Sequence, residues 1–298
     1  MTSPDYSTTR RLTSEKPACF DTPVDGMQTL LKTPDSEQKI AEGGLRLQGL
    51  YKTSSEDKPL ITVVTVVYNG AEFLEETINS VIEQTYDNVE YIIVDGGSTD
   101  GTLEIIKKYE HAIDYWVSEP DKGIYDAMNK GIDLGSGEWI NFMNAGDAFF
   151  DKVSVTNLEF IKCLGFDLIY GHHKYPGKGI VRASSLDGLW KGMVFSHQSL
   201  FVKLDLHKNN KFVDCYFPSS DFKFIFDCFK KNKSFLAKDL CISNVSSLNT
   251  TNKYNYLSNK MRWLSVIKYY PVRSTMYYFP LLASISIKFF LKRALKLK

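Results

Sequence analysis

The residues with chemistry to offer stand in short polar stretches, each at the end of a mainly apolar run. Tyr68-Asn69-Gly70 follows Leu60–Val67, and Asp95-Gly-Gly-Ser-Thr-Asp100 follows Val89–Val94. Glu119-Pro-Asp-Lys-Gly123 follows Asp114–Val117, and Asn144-Ala-Gly-Asp147 follows Trp139–Met143. Carboxylates, amides and a lysine gathered in this way suit a polar, charged ligand, and the interspersed glycines let backbone approach it closely. Asp147 is the lone carboxylate of its stretch and an oxygen donor of the kind Mg²⁺ and Mn²⁺ favour. His197, in Phe195-Ser-His-Gln-Ser199, and Asp221, in Pro218-Ser-Ser-Asp-Phe222, stand further on. No G-x-G-x-x-G follows the first run and no G-x-x-x-x-G-K-[ST] occurs, so neither a dinucleotide fingerprint nor a P-loop is indicated.

The elements that must position these residues alternate in type. Leu60–Val67 is nearly all apolar and β-branched, as a strand buried on both faces should be. A helix follows with Leu74, Thr77, Ile78, Val81 and Ile82 on one face. Val89–Val94 predicts a strand, Thr102–Tyr109 a helix opened by good capping residues, and Asp114–Val117 a short strand. Ile124–Leu134 predicts a helix and Glu138–Asn144 a strand. This alternation predicts an α/β fold with a mostly parallel central sheet and helices on both faces. In such sheets ligands bind beyond the carboxyl ends of the strands, so the four polar stretches fall on one edge. Residues 151–239 are less regular, with short strands at 168–170, 179–183 and 198–203 and a helix at 222–231. Residues 260–270 and 285–298 read as amphipathic helices.

The chain has 298 residues, 43% hydrophobic and 24% charged, enough for one large domain with appendages or two small ones. Its five cysteines, Cys19, Cys163, Cys215, Cys228 and Cys241, are scattered without C-x-x-C spacing. That pattern favours a reduced, cytoplasmic setting over a disulfide framework or a zinc site. No apolar run near the N-terminus reads as a signal peptide. The net charge of +1 hides an asymmetry: residues 240–298 hold ten basic residues and no acid. The rest of the chain keeps 26 of the 36 basic residues against all 35 acids, a net of −9. Such a split suits a basic region meeting an anionic surface.

The stretches TVVYNGAEFLEETINSVIEQTYDNVEYIIVDGGSTDGT, EPDKGIYDAMNKGI and WINFMNAGD, in that order, resemble the family 2 inverting glycosyltransferases, which have the GT-A fold. The resemblance covers residues 59 to about 240 and is nearest to bacterial enzymes of capsule, colanic-acid-like or O-antigen polysaccharide synthesis. It implies a nucleoside-diphosphate sugar donor, UDP-linked by preference, and a saccharide or polyprenyl-linked acceptor. Asp95 would bind the base or ribose, with Thr65, Tyr68 and Asn69 lining the base pocket and Tyr68 offering a stacking face. Asp121 and Lys122 would lie by the ribose and diphosphate. Tyr125, Asp126 and Asn129 would touch the donor sugar, and Asn144 would orient that sugar or a water.

The family carries two acids where this chain has Gly146 and Asp147, so Asp147 alone would hold Mn²⁺ or Mg²⁺, with His197 approaching the metal or diphosphate. One carboxylate suffices where substrate phosphates complete the shell. Asp221, early in a helix, matches the family's catalytic base, with Asp214 and Asp227 as rivals. Plainer readings stand beside these: capping for Asp95 and Asp221, core packing for Tyr68, a solvated turn for Asp121 and Lys122, helix surface for Tyr125, Asp126 and Asn129, and a structural role for His197.

Three regions follow: a polar leader over 1–58, partly ordered, with Met27–Leu31 its cohesive part and its end, Gly43–Tyr51, packed on the main domain; a catalytic domain over 59–240; and a basic helical region over 241–298. Tyr277–Ile287 is an apolar run of eleven residues, too short to span a membrane, which takes about 20. With the basic residues after it, it reads as an interfacial helix on anionic lipid at the inner face of the plasma membrane. A helix packed on the domain is the alternative. No nucleic-acid recognition module is present. The competing functions are a non-catalytic nucleotide-sugar-binding protein, for which Gly146 is the hint, and a nucleotidyltransferase, which would need a Gly-rich basic loop that Tyr68-Asn-Gly-Ala71 does not supply.

Overall fold

The computed structural model describes residues 5–17, 29–246 and 254–295, with side chains described as far as residue 288. Part of Met27–Leu31, Cys19 and the basic side chains from Lys292 onward lie outside the described residues. The chain forms two compact units. The first comprises residues 1–183, 195–211 and 234–247, and the second comprises 184–194, 212–233 and 248–298.

The first unit is built on a ten-stranded sheet. Its centre is four parallel strands, β2 (Ile61–Val67), β3 (Val89–Asp95), β4 (Tyr115–Ser118) and β5 (Trp139–Phe142), in the order β4-β3-β2-β5. All seven residues of β2 and all seven of β3 are buried, including Thr62, Thr65, Glu90 and Asp95 among the apolar side chains. The helices α1 (Leu74–Ile82), α2 (Thr102–Lys108) and α3 (Ile124–Leu134) join them. Gly131 of α3 lies so close to β2 that a Cβ there would sit 2.4 Å from Val64 Cγ1, so glycine sets the helix-to-sheet distance. The chain runs outward from β2 to β3 and β4, then returns to β5 on the other side of β2. That reversal is a topological switch point, and it opens a crevice at the carboxyl ends of β2 and β5.

The other strands extend this core. The edge strand β1 (Ala41–Gly43) pairs antiparallel with β4. Beyond β5 come β9 (Leu200–Lys203), β7 (Leu168–Tyr175), β10 (Phe235–Asn244) and β6 (Ala148–Phe149), while β8 (Gly179–Val181) pairs with β7. A five-residue helix, α4 (Leu204–Lys208), follows β9. Strand β7 runs five residues beyond its expected end, and β1, β6 and β10 carry no clear strand signal in the sequence. β10 passes through position 240, where the sequence reading placed a boundary.

The leader is more firmly placed than its polar composition predicts. Arg46 and Lys52 reach into the first unit and pair with carboxylates buried in the sheet. Arg46 Nη2 lies 2.5 Å from Glu90 Oε1, both side chains 3% exposed. Lys52 is bonded to Asp114, whose other oxygen accepts the Tyr91 N–H at 2.7 Å. Burial would raise Glu90, but Arg46 and bonds from Ser136 and Thr62 overcome it and hold the carboxyl below its ordinary value. Burial pushes Lys52 down and Asp114 up, against their mutual attraction.

The second unit is helical: α5 (Ser220–Lys230), α6 (Asn255–Val266) and α7 (Pro271–Leu295), with a short 3-10 stretch over Leu186–Lys191. Its core includes Phe222, Phe226, Val266 and Tyr278, all fully buried. Proline at the first position of α7 fits a helix start, since its missing N–H has no partner to lose there. Both C-terminal helices begin earlier than their hydrophobic patterns suggest, and the Tyr277–Ile287 run lies wholly inside α7.

Candidate functional site

The loops that follow β2 and β3 are laced together by backbone and short side chains. Asn69 has a left-handed backbone, φ 49°, which asparagine tolerates better than most residues. Its N–H donates to Ser98 Oγ at 2.7 Å, and its side-chain oxygen accepts the Thr99 N–H at 2.9 Å. Gly70 N–H donates to Thr102 Oγ1 at 3.0 Å, and Ala71 N–H to Asp100 at 3.1 Å. Asp95 is fully buried, and its carboxylate accepts from the Ser98 N–H and hydroxyl and, at 2.6 Å, from the Ser118 hydroxyl. In this conformation Asp95 fastens the loop to the end of β4.

Thr65 needs a correction. It is fully buried inside β2, with its hydroxyl donating to Met143 O at 2.7 Å and facing the Tyr91 hydroxyl at 2.9 Å. It has no surface for a base pocket and instead ties β2 to the residue after β5.

Tyr68 is 67% exposed at the mouth of the crevice. Gly96 lies between it and Asp121: a Cβ on Gly96 would sit 2.5 Å from Asp121 Oδ2 and 3.4 Å from Tyr68 Cδ2. A side chain at 96 would therefore displace the Asp121 carboxylate while only touching Tyr68, so glycine lets the carboxylate lie close against this turn. Asp121 also accepts the Gly123 N–H at 2.8 Å, and the Lys122 side chain is exposed. At the start of α3, Asp126 accepts the Lys122 N–H at 3.1 Å, Tyr125 is 7% exposed and Asn129 is half-buried.

Asp147 sits beyond β5. Gly146 has φ 95°, a conformation costly for a side chain, which gives a backbone reason for glycine where the family has an acid. The Thr77 hydroxyl of α1 clamps the turn, accepting the Gly146 N–H at 3.0 Å and donating to Asp147 O at 2.7 Å. The Asp147 carboxylate is 4% exposed and accepts from Gln198 Nε2 at 2.6 Å and the Ser246 N–H at 2.8 Å. Burial raises its pKa, while these two bonds and the nearby His197 act the other way. Asn144 Nδ2 lies 3.3 Å from His197 Nε2, and Asn144 Oδ1 is buried with no hydrogen-bond partner.

No group of three or more His, Cys, Asp or Glu side chains among the described residues is arranged to hold a metal. The donors present are one carboxylate and one unpartnered amide oxygen. They fit a hard divalent ion that completes its shell from outside the protein. The bonds that Gln198, Thr77 and the Ser246 amide make to the Asp147 turn were not legible in the sequence; the His-Gln pair pointed at the histidine.

Asp221 belongs to the second unit, half-buried in the first turn of α5. Of its rivals, Asp227 is engaged by Lys223 one turn away, and Asp214 is exposed.

Solved structures share this architecture. Staphylococcus aureus TarS 1–349 in complex with UDP superposes with a TM-score of 0.56 at 18% identity, over 70% of this chain and 65% of that one. The mannosyltransferase PcManGT from Pyrobaculum calidifontis, in complex with GDP-Man and Mn²⁺, gives 0.57 at 16% identity over 71% and 65%. At such identities the likeness shows the fold, which is GT-A. Among sequence relatives, a PGL/p-HBAD biosynthesis glycosyltransferase of Mycobacterium bovis is 31% identical over 162 residues, 50% of this chain and 60% of its own length. A putative teichuronic acid biosynthesis glycosyltransferase, TuaG of Bacillus subtilis, is 35% identical over 107 residues, 35% of this chain and 42% of its own. This chain thus spans less than two thirds of the length of these relatives. The model of the family described as Glycosyl transferase family 2 matches residues 62–224, which include the crevice and all four of its loops. The chain belongs to glycosyl transferase family 2.

Proposed function

We propose that the chain transfers a sugar from a nucleoside-diphosphate donor, a UDP-sugar by preference, to a hydroxyl of a saccharide or lipid-linked saccharide, with inversion, in bacterial surface polysaccharide synthesis. The observation that carries this reading is the Asp147 turn: a buried carboxylate fixed by two donors, beside an unpartnered amide oxygen, at the switch point of a GT-A sheet. Relatives named for teichuronic acid and PGL/p-HBAD biosynthesis support the glycan setting, and a structural neighbour in complex with UDP supports the donor class.

In this reading Tyr68 stacks on the base, and the loop held by Asp95 and Asn69 shapes its pocket. Asp121 and Lys122 meet the ribose and diphosphate, with the exposed lysine as the cation for the phosphates. Tyr125, Asp126 and Asn129 lie toward the donor sugar. Asp147 and Asn144 Oδ1, with His197 beside them, would hold Mn²⁺ or Mg²⁺ together with the diphosphate oxygens, and the ion would neutralise charge on the leaving nucleotide. A sugar hydroxyl is a weak nucleophile, so inverting transfer needs one base, and Asp221 takes that proton. The basic C-terminal region places the enzyme on anionic lipid at the cytoplasmic face, where lipid-linked acceptors lie.

Calorimetric titration of UDP and then GDP, with Mn²⁺ and with chelator, into wild type and Asp147→Ala tests the reading. Metal-dependent binding of one nucleotide, weakened by the substitution, is the expected result. Absence of binding by either nucleotide under both conditions refutes it.

A further inference from the structure

Helix α7 has two apolar faces, and only one is covered. Ser274, Tyr278 and Leu282, spaced four apart, are 0%, 0% and 7% exposed and face the interior of the second unit. On the other side Val272, Met276, Phe279 and Ile287 are 71%, 74%, 64% and 59% exposed. Their spacing of four, three and eight residues keeps them on one stripe of a 3.6-residue helix, and Ala283 fills the gap. At 1.5 Å per residue the stripe is about 22 Å long. No charge interrupts it, and Arg273 and Lys288 are exposed beside it. Lys260 and Lys268 add exposed positive charge, and residues 254–295 contain no carboxylate.

We infer that this stripe is a lipid-contact surface: α7 lies in the plane of an anionic membrane, with Val272, Met276, Phe279 and Ile287 in the headgroup–acyl boundary and the flanking basic residues on phosphate headgroups. Charge selects this occupant. An apolar stripe with cations beside it and no acid in residues 254–295 matches an anionic bilayer, whereas a second copy meeting it through the same stripe would bring like charge. No helix among the described residues is long and apolar enough to cross a membrane, which fits a helix lying on one. This deepens the membrane placement proposed above and changes its geometry. The apolar run Tyr277–Ile287 is divided, with Tyr278 and Leu282 anchoring the helix to its own unit while the stripe, starting at Val272, faces outward. The contact is then a surface of a folded unit rather than a tail.

Full-length protein is sedimented with vesicles of phosphatidylglycerol and, separately, of phosphatidylcholine at about 0.1 M salt, where charges interact over about 10 Å. Wild type is expected to bind the anionic vesicles. Met276→Glu/Phe279→Glu is expected to bind at least ~10-fold more weakly, with an unchanged circular dichroism spectrum because both positions face solvent. Tyr278→Phe, on the covered side, should bind as wild type does. Val272→Trp gives a second reading, since its emission should shift to the blue on addition of anionic vesicles. Equal vesicle binding by the double variant, or no blue shift, overturns the proposal. A dimer that the double variant dissociates, without vesicle binding by wild type, also overturns it and makes a second copy the occupant. UDP binding is measured separately, so failure of the transferase reading leaves the lipid result intact.

Discussion

Replacing Arg46 by methionine tests whether the leader is part of the fold of the first unit or only attached to it. The guanidinium is one of four donors to the buried Glu90 carboxylate, the others being the Thr62 hydroxyl at 2.6 Å, the Ser136 N–H at 2.8 Å and the Ser136 hydroxyl. Its other arm donates to Leu134 O at 2.9 Å, near the end of α3. Removing one partner of a buried pair costs about 3–5 kcal/mol, because the remaining charge is desolvated without compensation. Three neutral donors stay on Glu90, which places the expected loss at the lower end, about 3 kcal/mol. Urea denaturation of wild type and Arg46→Met, followed by circular dichroism, measures it.

The dependence on pH has a definite sign. Glu90 is held below its ordinary value in the fold, so its pairing stabilises above the unfolded carboxyl range, around 4.3, and is lost as pH falls through the depressed folded value. In the variant the carboxyl protonates at higher pH and ceases to be an unpaired buried charge. The gap between wild type and variant should therefore be widest near neutrality and shrink in acid. Glu90→Gln in the Arg46→Met background should recover part of the loss. A cost under about 1 kcal/mol at neutral pH, within the range of exposed ion pairs, would refute the reasoning.

Gln198→Leu removes a buried donor from Asp147 while leaving that carboxylate in place. Outer partners of metal ligands are worth about 10–100-fold in affinity, so Mn²⁺-dependent UDP binding by calorimetry should weaken in that range; unchanged affinity would show that Gln198 does not position Asp147. His207 is buried, and its pKa falls to about 4 through desolvation. Stability present above the unfolded histidine value, around 6.5, is therefore lost as pH falls toward 4. His207→Phe should flatten that part of the melting curve against pH, and an unaltered slope would remove His207 as the cause. Asp221→Asn should lower transfer by about 10²-fold or more and leave nucleotide affinity nearly intact; unchanged turnover would remove Asp221 as the base.

The central sheet was legible because β2 to β5 are short apolar runs that end in turn residues, a pattern few other structures produce. The edge of the sheet was not. β10 carries Lys238 and Asp239 in mid-strand, and its pairing with β7 shifts register between Ala237 and Cys241 and again before Ser243. No period-two alternation survives such irregularity. The end of the leader, Gly43–Tyr51, reads as packed on the main domain, but the carboxylates that draw Arg46 and Lys52 inward do not show in the sequence. At the site, the loops were found through their residue types. Thr65, a polar residue near a strand end, reads like a loop residue, while its hydroxyl bonds across the sheet to Met143 O. Gln198 escaped notice since its role depends on a neighbour 51 positions away.

That distance bears on how the protein is made. The two donors that fix the Asp147 carboxylate lie 51 and 99 residues downstream of it. At about 5–20 residues per second, a ribosome needs roughly 5 to 20 s to pass from Asp147 to Ser246. Over that interval β2, β3 and β4 have their strand partners in hand, while β9, the second neighbour of β5, and the two donors to Asp147 are still to come. The Asp147 turn is therefore among the last features completed, and a chain stalled or cleaved before residue 246 would lack one of the two donors that fix its carboxylate.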